Sequence, residues 1–125
     1  MDLYTETILD HYEHPHHTGT LASPDVHVAE YNLLCGDRIE LDCAFTNKGA
    51  IADVAFVGSG CALSQAGMSI LSDWSIGKSR NDIAALSHDD VQSMIGSPIT
   101  PARLKCALLG LGALKRIYEP YHSNS

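Results

Sequence analysis

Apolar side chains recur along this chain at two different periods. Between residues 39 and 45 the period is two: Ile39, Leu41, Cys43 and Phe45 alternate with Glu40, Asp42 and Ala44. That pattern predicts a strand with one dry face. Val26 and Val28, with Glu30 and Tyr31, predict a shorter strand before it, and Ile51, Val54, Phe56 and Val57 predict another after it. The stretch "TNKGA" at 46–50 carries turn residues, so the strands read as an antiparallel hairpin or meander. After Gly58-Ser59-Gly60 the period lengthens. Leu63, Ala66, Gly67, Ile70, Leu71 and Trp74 repeat at three and four, which predicts an amphipathic helix over 62–76 closed by Gly77. A first helix is expected from Leu3 to His14, with Ile8, Leu9 and Tyr12 on its stripe and Pro15 at its end. The following "HPHHTGT" reads as a loop pivoting at Gly19. Residues 79–96 predict one or two short helices, capped by Ser79 or Asn81 and by Ser87. Thr100 suits an N-cap, Pro101 a first helical position and Pro120 a stop, so one last helix is expected between them. Helix, then strands, then helices is the order of an α+β fold, a small antiparallel sheet with helices packed on one face.

Composition narrows the function. The chain has 125 residues, 45% hydrophobic and 18% charged, with no repeat or linker, which predicts a single domain over 1–125 with its own core. The formal net charge is −7, a poor match to a phosphate backbone, so no nucleic-acid partner is expected. The basic residues Arg103, Lys105, Lys115 and Arg116 gather in the last quarter and leave room for a local positive patch. The N-terminal stretch carries Asp2 and Glu6 and has the pattern of neither a secretory signal nor a transit peptide. No segment approaches the roughly 20 apolar residues of a membrane span. The expectation is a cytoplasmic protein without a membrane partner, whose four cysteines serve as thiols or metal ligands rather than disulfides.

Three of those cysteines stand where chemistry is plausible. Cys35 and Asp37 flank Gly36 before the second strand, and side chains two apart on an extended segment share a side. Cys61 follows a Gly-rich turn at the start of a helix, where free N–H groups and the helix dipole favour a thiolate. Cys106 lies early in the last helix, close after the basic residues Arg103 and Lys105. Three thiols and a carboxylate suit Zn²⁺ or an iron–sulfur cluster and do not suit Mg²⁺ or Ca²⁺. Cys43, on the dry face of the second strand, reads as a core residue.

Other features read as structural. His11, His14, His16 and His17 surround a helix end and loop, where solvated histidines are expected ahead of a surface metal site. Gly110 and Gly112 have no preceding strand for a phosphate loop and are expected to permit close packing. Asp89 and Asp90 suit a helix first turn. Ser64 has no base supplied by a motif and reads as a helix-surface or helix-end hydroxyl.

Taken together, "CGD" at 35–37, "GSGCALS" at 58–64 and "RLKCALL" at 103–109 resemble the IscU/SufU family, also seen as the N-terminal domain of NifU. The opening "ILDHYEHPHHTGTL" is similar to that family's first helix and loop, so the resemblance covers nearly the whole chain. It implies a SufE/NifU-like α+β fold with a three-stranded antiparallel sheet. It also implies a role in iron–sulfur cluster assembly, with sulfur received from a cysteine desulfurase and a transient [2Fe–2S] cluster passed to apo-proteins. Zn²⁺ is the other metal that the family holds at this site. By position, the implied ligands are Cys35, Asp37, Cys61 and Cys106; these three cysteines are the sulfur-acceptor candidates, Cys106 or Cys35 foremost, and Asp37 would keep the site labile. The chain mixes two branches. Leu33 stands where the family usually has proline, Lys105 replaces the histidine of scaffold-type IscU, and "ITPARLK" lacks the chaperone-recognition stretch. The last two features resemble SufU, yet the long SufU insertion between the second and third cysteines is missing. The resemblance therefore implies a scaffold and sulfur acceptor rather than a classical enzyme, with a zinc-dependent sulfurtransferase of the SufU type, one that activates the desulfurase without holding a cluster, as the alternative.

Overall fold

A computed structural model describes residues 6–32, 36–96 and 99–118. The elements run α1 (Glu6–Glu13), β1 (Val26–Asn32), β2 (Asp37–Phe45), β3 (Ile51–Ser59), α2 (Ala62–Ser75), α3 (Arg80–Ala85), α4 (His88–Ile95), α5 (Pro101–Ala107) and α6 (Leu109–Arg116). The three strands form one antiparallel sheet in the order β1-β2-β3. This is the α+β arrangement expected from the alternating and helical periods.

Sheet register aligns the dry positions. Leu41 faces Val28 on one side and Phe56 on the other, and Cys43 faces Val26 and Val54. All six are buried, and α2 and α6 cover them. α1 lies on α2 and buries Ile8. The free edge of β3 is covered by the loop after α1: Phe56 N–H donates to the carbonyl of His17, and Gly19 N–H donates to that of Phe56, each at 2.8 Å. Pairing that edge removes an open template for other strands. Among the described residues no helix is long and apolar enough to cross a membrane.

The helix ends follow local chemistry. Ser79 and Ser87 each accept from the backbone N–H three residues on, and Asp82 and Asp90 return the bond, giving two complete capping boxes. Asn81 lies inside α3 and caps nothing there. Asp89 and Asp90 occupy the first turn of α4, as expected. Thr100 departs from expectation, since its side chain makes no capping bond; its carbonyl accepts from Arg103 and Leu104 N–H instead.

The single last helix expected after Thr100 is broken in two at Leu108, whose φ of −90° and ψ of −2° fall in the bridge region. The break lets α5 follow α2 while α6 follows both α2 and the sheet. Close approach explains the two glycines of α6. A Cβ at Gly110 would stand 3.1 Å from the Met68 backbone, and one at Gly112 would stand 2.5 Å from the Glu30 carboxylate. Glu30 is in turn held by Arg116 at 3.2 Å.

Candidate metal centre

The antiparallel pairing of β2 and β3 places Arg38 opposite Ser59, so the chain leaving β3 passes beside the start of β2. Asp37 opens β2 there, and Cys61 is the N-cap of α2. Gly60 joins them at φ +122°, a conformation that side-chain-bearing residues rarely adopt. A Cβ on Gly60 would also lie only 2.0 Å from Oδ1 of Asp37. The carboxylate therefore rests on the bare backbone of this glycine. Cys61 N–H donates to Asp37 Oδ1 at 2.9 Å, and Cys61 Sγ lies 3.4 Å from Oδ2.

Cys106 arrives from α5. That helix meets α2 closely at Gly67, where a Cβ would be 3.0 Å from the carbonyl oxygen of Ala107. The result is that donor atoms of Asp37, Cys61 and Cys106 all lie within 4.8 Å of one another. Asp37 and Cys106 are buried and Cys61 is half-buried. A buried carboxylate is costly unless hydrogen-bonded or bound to a cation, and here a backbone N–H and two cysteine sulfurs that could hold a metal adjoin it. Cys35, the fourth residue of the expected set, lies outside the described residues.

The donors fit one soft or borderline metal. Zn–S and Zn–O bonds of about 2.3 and 2.0 Å at a tetrahedral angle separate sulfur from oxygen by roughly 3.5 Å. Asp37 Oδ2 and Cys61 Sγ are already 3.4 Å apart. Two thiols with a harder oxygen also match an iron–sulfur site. Ser64, expected as a helix-surface or helix-end hydroxyl, stands in the first turn of α2 and is fully buried. Its hydroxyl donates to the Cys61 carbonyl at 3.0 Å and lies 3.9 Å from Cys61 Sγ. Lys105 is exposed beside Cys106. Cys43 stands apart, fully buried in the core, and burial, with Asp25 and Asp53 adding to it, pushes its thiol up to about 12.

His14 is exposed, as expected, but the other three histidines of this stretch are held by side chains of α2. His11, His16 and His17 all turn onto α2. His11 Nδ1 is 2.7 Å from Ser69 Oγ, His16 Nδ1 is 2.5 Å from Asp73 Oδ2, and His17 Nε2 is 3.0 Å from Asp73 Oδ1. Only a pairing of the loop with a helix more than fifty residues away brings them together; the legible trace was that Ser69 and Asp73 share one face of α2, four residues apart.

Known proteins resemble this chain over almost its whole length. Residues 3–125 match the family described as NifU-like N terminal domain. The iron-sulfur cluster assembly scaffold protein IscU of Escherichia coli K12 is 29% identical over 123 residues, covering 96% of this chain and 94% of the relative. The protein of the same description from Streptococcus pyogenes serotype M1 is 33% identical over 130 residues, covering 90% of this chain and 80% of the relative. The crystal structure of a candidate iron-sulfur cluster assembly scaffold for the SUF system, from Fervidobacterium islandicum AW-1, superposes with a TM-score of 0.80 at 25% identity, covering 94% of this chain and 97% of that one. With the family matched from end to end and the fold shared, this chain belongs to the NifU-like N-terminal domain family, together with the IscU and SufU proteins.

Proposed function

We propose that this protein acts in iron–sulfur cluster assembly, accepting sulfur from a cysteine desulfurase and building or handing on a [2Fe–2S] cluster held by Cys35, Asp37, Cys61 and Cys106. The observation that carries this reading is the convergence of Asp37, Cys61 and Cys106 from three separate elements into one cluster of donors. In the sulfur step a thiolate of this chain attacks the outer sulfur of a desulfurase persulfide. A new S–S bond forms, and the desulfurase thiolate leaves. Cys106 or Cys35 takes this sulfur. Cys106 is only 9% exposed, so exchange among the site's ligands has to free it for attack. Asp37 keeps the site exchangeable, because an oxygen ligand holds a soft cluster less firmly than a fourth thiolate. Recipient apo-proteins then take the cargo.

A second reading rests on the 3.4 Å spacing of Asp37 Oδ2 and Cys61 Sγ, which fits one edge of a single tetrahedral zinc ion. In that reading the protein is a zinc-dependent sulfurtransferase that stimulates the desulfurase without holding a cluster. Lys105 on the surface beside Cys106 accords with it.

Metal and acid-labile sulfide per chain, measured on anaerobically purified protein before and after reconstitution with iron, cysteine, a desulfurase and a thiol reductant that supplies the two electrons for each persulfide sulfur turned to sulfide, separate the two. Iron and sulfide gained in equal amounts support the scaffold. One persistent zinc without sulfide, together with faster desulfurase turnover, supports the sulfurtransferase. Neither metal under either condition overturns both.

A further inference from the structure

A second group of metal-ligating side chains lies on the far part of α2. His11 from α1, His16 from the loop after it and Asp73 from α2 hold donor atoms all within 4.8 Å of one another. The rings of His11 and His16 are 4.5 Å apart between centroids. His17 reaches the second oxygen of the same carboxylate at 3.0 Å.

The cluster is held in place from below. Ser69, fully buried and one turn before Asp73, contacts the His11 ring at 2.7 Å and accepts from His16 N–H at 2.8 Å. One hydroxyl thus ties both histidine-bearing segments to α2. His17 takes a φ of +60°, unusual without glycine, and its carbonyl is anchored by Phe56 N–H at 2.8 Å. The loop that carries the donors is therefore fixed at the sheet edge as well as at the helix.

We propose that His11, His16 and Asp73 form a second divalent-metal site, of two imidazoles and one carboxylate, selective for Zn²⁺ and its first-row neighbours. Nitrogen donors exclude a preference for Mg²⁺ or Ca²⁺, and the missing thiolates separate the site from the cysteine centre. His17 or water completes the coordination. Binding replaces whatever proton His16 and Asp73 share, and opens their 2.5 Å contact to the roughly 3.3 Å edge of a tetrahedral zinc site. Both side chains are more than two-fifths exposed, so they are free to move that far. A metal here clamps α1 and its loop onto α2, the helix whose first residue follows Cys61.

The test is zinc binding by the full chain in a Cys35→Ser, Cys61→Ser, Cys106→Ser background, checked for folding by circular dichroism. The expected result is one zinc per chain with only nitrogen and oxygen neighbours in its X-ray absorption spectrum. Adding His16→Gln or Asp73→Asn should weaken that binding at least tenfold. Should the triple variant fail to fold, the same two exposed substitutions in the otherwise unchanged protein should lower the zinc count by one per chain, whatever the cysteine centre holds. Failure of the folded triple variant to hold zinc at micromolar free metal, or binding that neither substitution changes, overturns the site. The cysteine centre can fail its own reconstitution test without affecting this outcome.

Discussion

The backbone N–H of Cys61 donates to one carboxylate oxygen of Asp37, and the Cys61 sulfur sits 3.4 Å from the other oxygen. This pair joins the first residue of β2 to the cap of α2, so strand and helix deliver an oxygen and a sulfur to the same point. Gly60 is the residue that makes the pairing sterically possible, and the consequences of altering each part can be measured.

Gly60→Ala adds a methyl group 2.0 Å from Asp37 Oδ1 and does so at φ +122°. The substitution should destabilise the protein by about 2–3 kcal/mol, by strain and by displacement of the carboxylate. Zinc affinity should fall with it. Thermal melts and a chelator competition check both; an unchanged melting temperature with unchanged affinity would show that Asp37 does not depend on this turn.

Asp37→Ala removes the only oxygen donor of the described trio. If the carboxylate supplies lability, a cluster reconstituted on this variant should survive a chelator several-fold longer than on the parent protein. Visible absorbance followed over time is the readout. Faster bleaching would falsify the assigned role and point to a purely supporting ligand.

Cys43 offers an internal contrast to the site cysteines. It is fully buried, with its thiol pushed up to about 12. Treatment of the native protein with iodoacetamide at pH 8 should leave the Cys43 peptide unmodified while the Cys61 peptide reacts, and unfolding should equalise them. Because the folded-state pKa is raised above the ordinary thiol value of 9.0, the stability it contributes is complete below pH 9 and is lost as pH climbs toward 12. Native labelling of Cys43 at the Cys61 rate would contradict the burial.

The two capping boxes predict a stability step at the acid end. Ser79→Ala and Ser87→Ala should each cost about 1 kcal/mol near neutral pH. Hydrogen bonds from the serine backbone and side chain hold the carboxyls of Asp82 and Asp90 below their usual value of 3.8. Depressed carboxylate values mean that this stabilisation is full above pH 3.8 and fades as pH falls below it. Urea denaturation at pH 7 and pH 3 should show the cost of each serine substitution shrinking at the lower pH; a cost equal at both would remove the serine side chain's bond to the carboxylate from the explanation.

Much of this was legible from residue order. Alternation from Ile39 to Phe45 and the three-to-four spacing after Gly60 are local properties, and burial of one face follows directly from them. Ser79 and Ser87 act over three residues, so their caps could be read the same way. Asp37, Cys61 and Cys106 were recognisable as chemistry by their turn and helix-start positions and by the family resemblance of their motifs. That they meet depends on two things no local pattern contains: the register that sets Arg38 opposite Ser59, and the approach of α5 to α2 across Gly67. The histidines were read as a group with solvation ahead of a metal site, and their pairing with Ser69 and Asp73 escaped that reading for the same reason. His16 and Asp73 are 57 residues apart, and their contact exists only because α1 and its loop lie along α2. The break at Leu108 is likewise a product of packing, since the residues around it keep a helical period while α5 and α6 follow different partners. Spacing along the chain decides which face of an element is apolar; which distant side chains share a site is decided by how those faces are buried against one another.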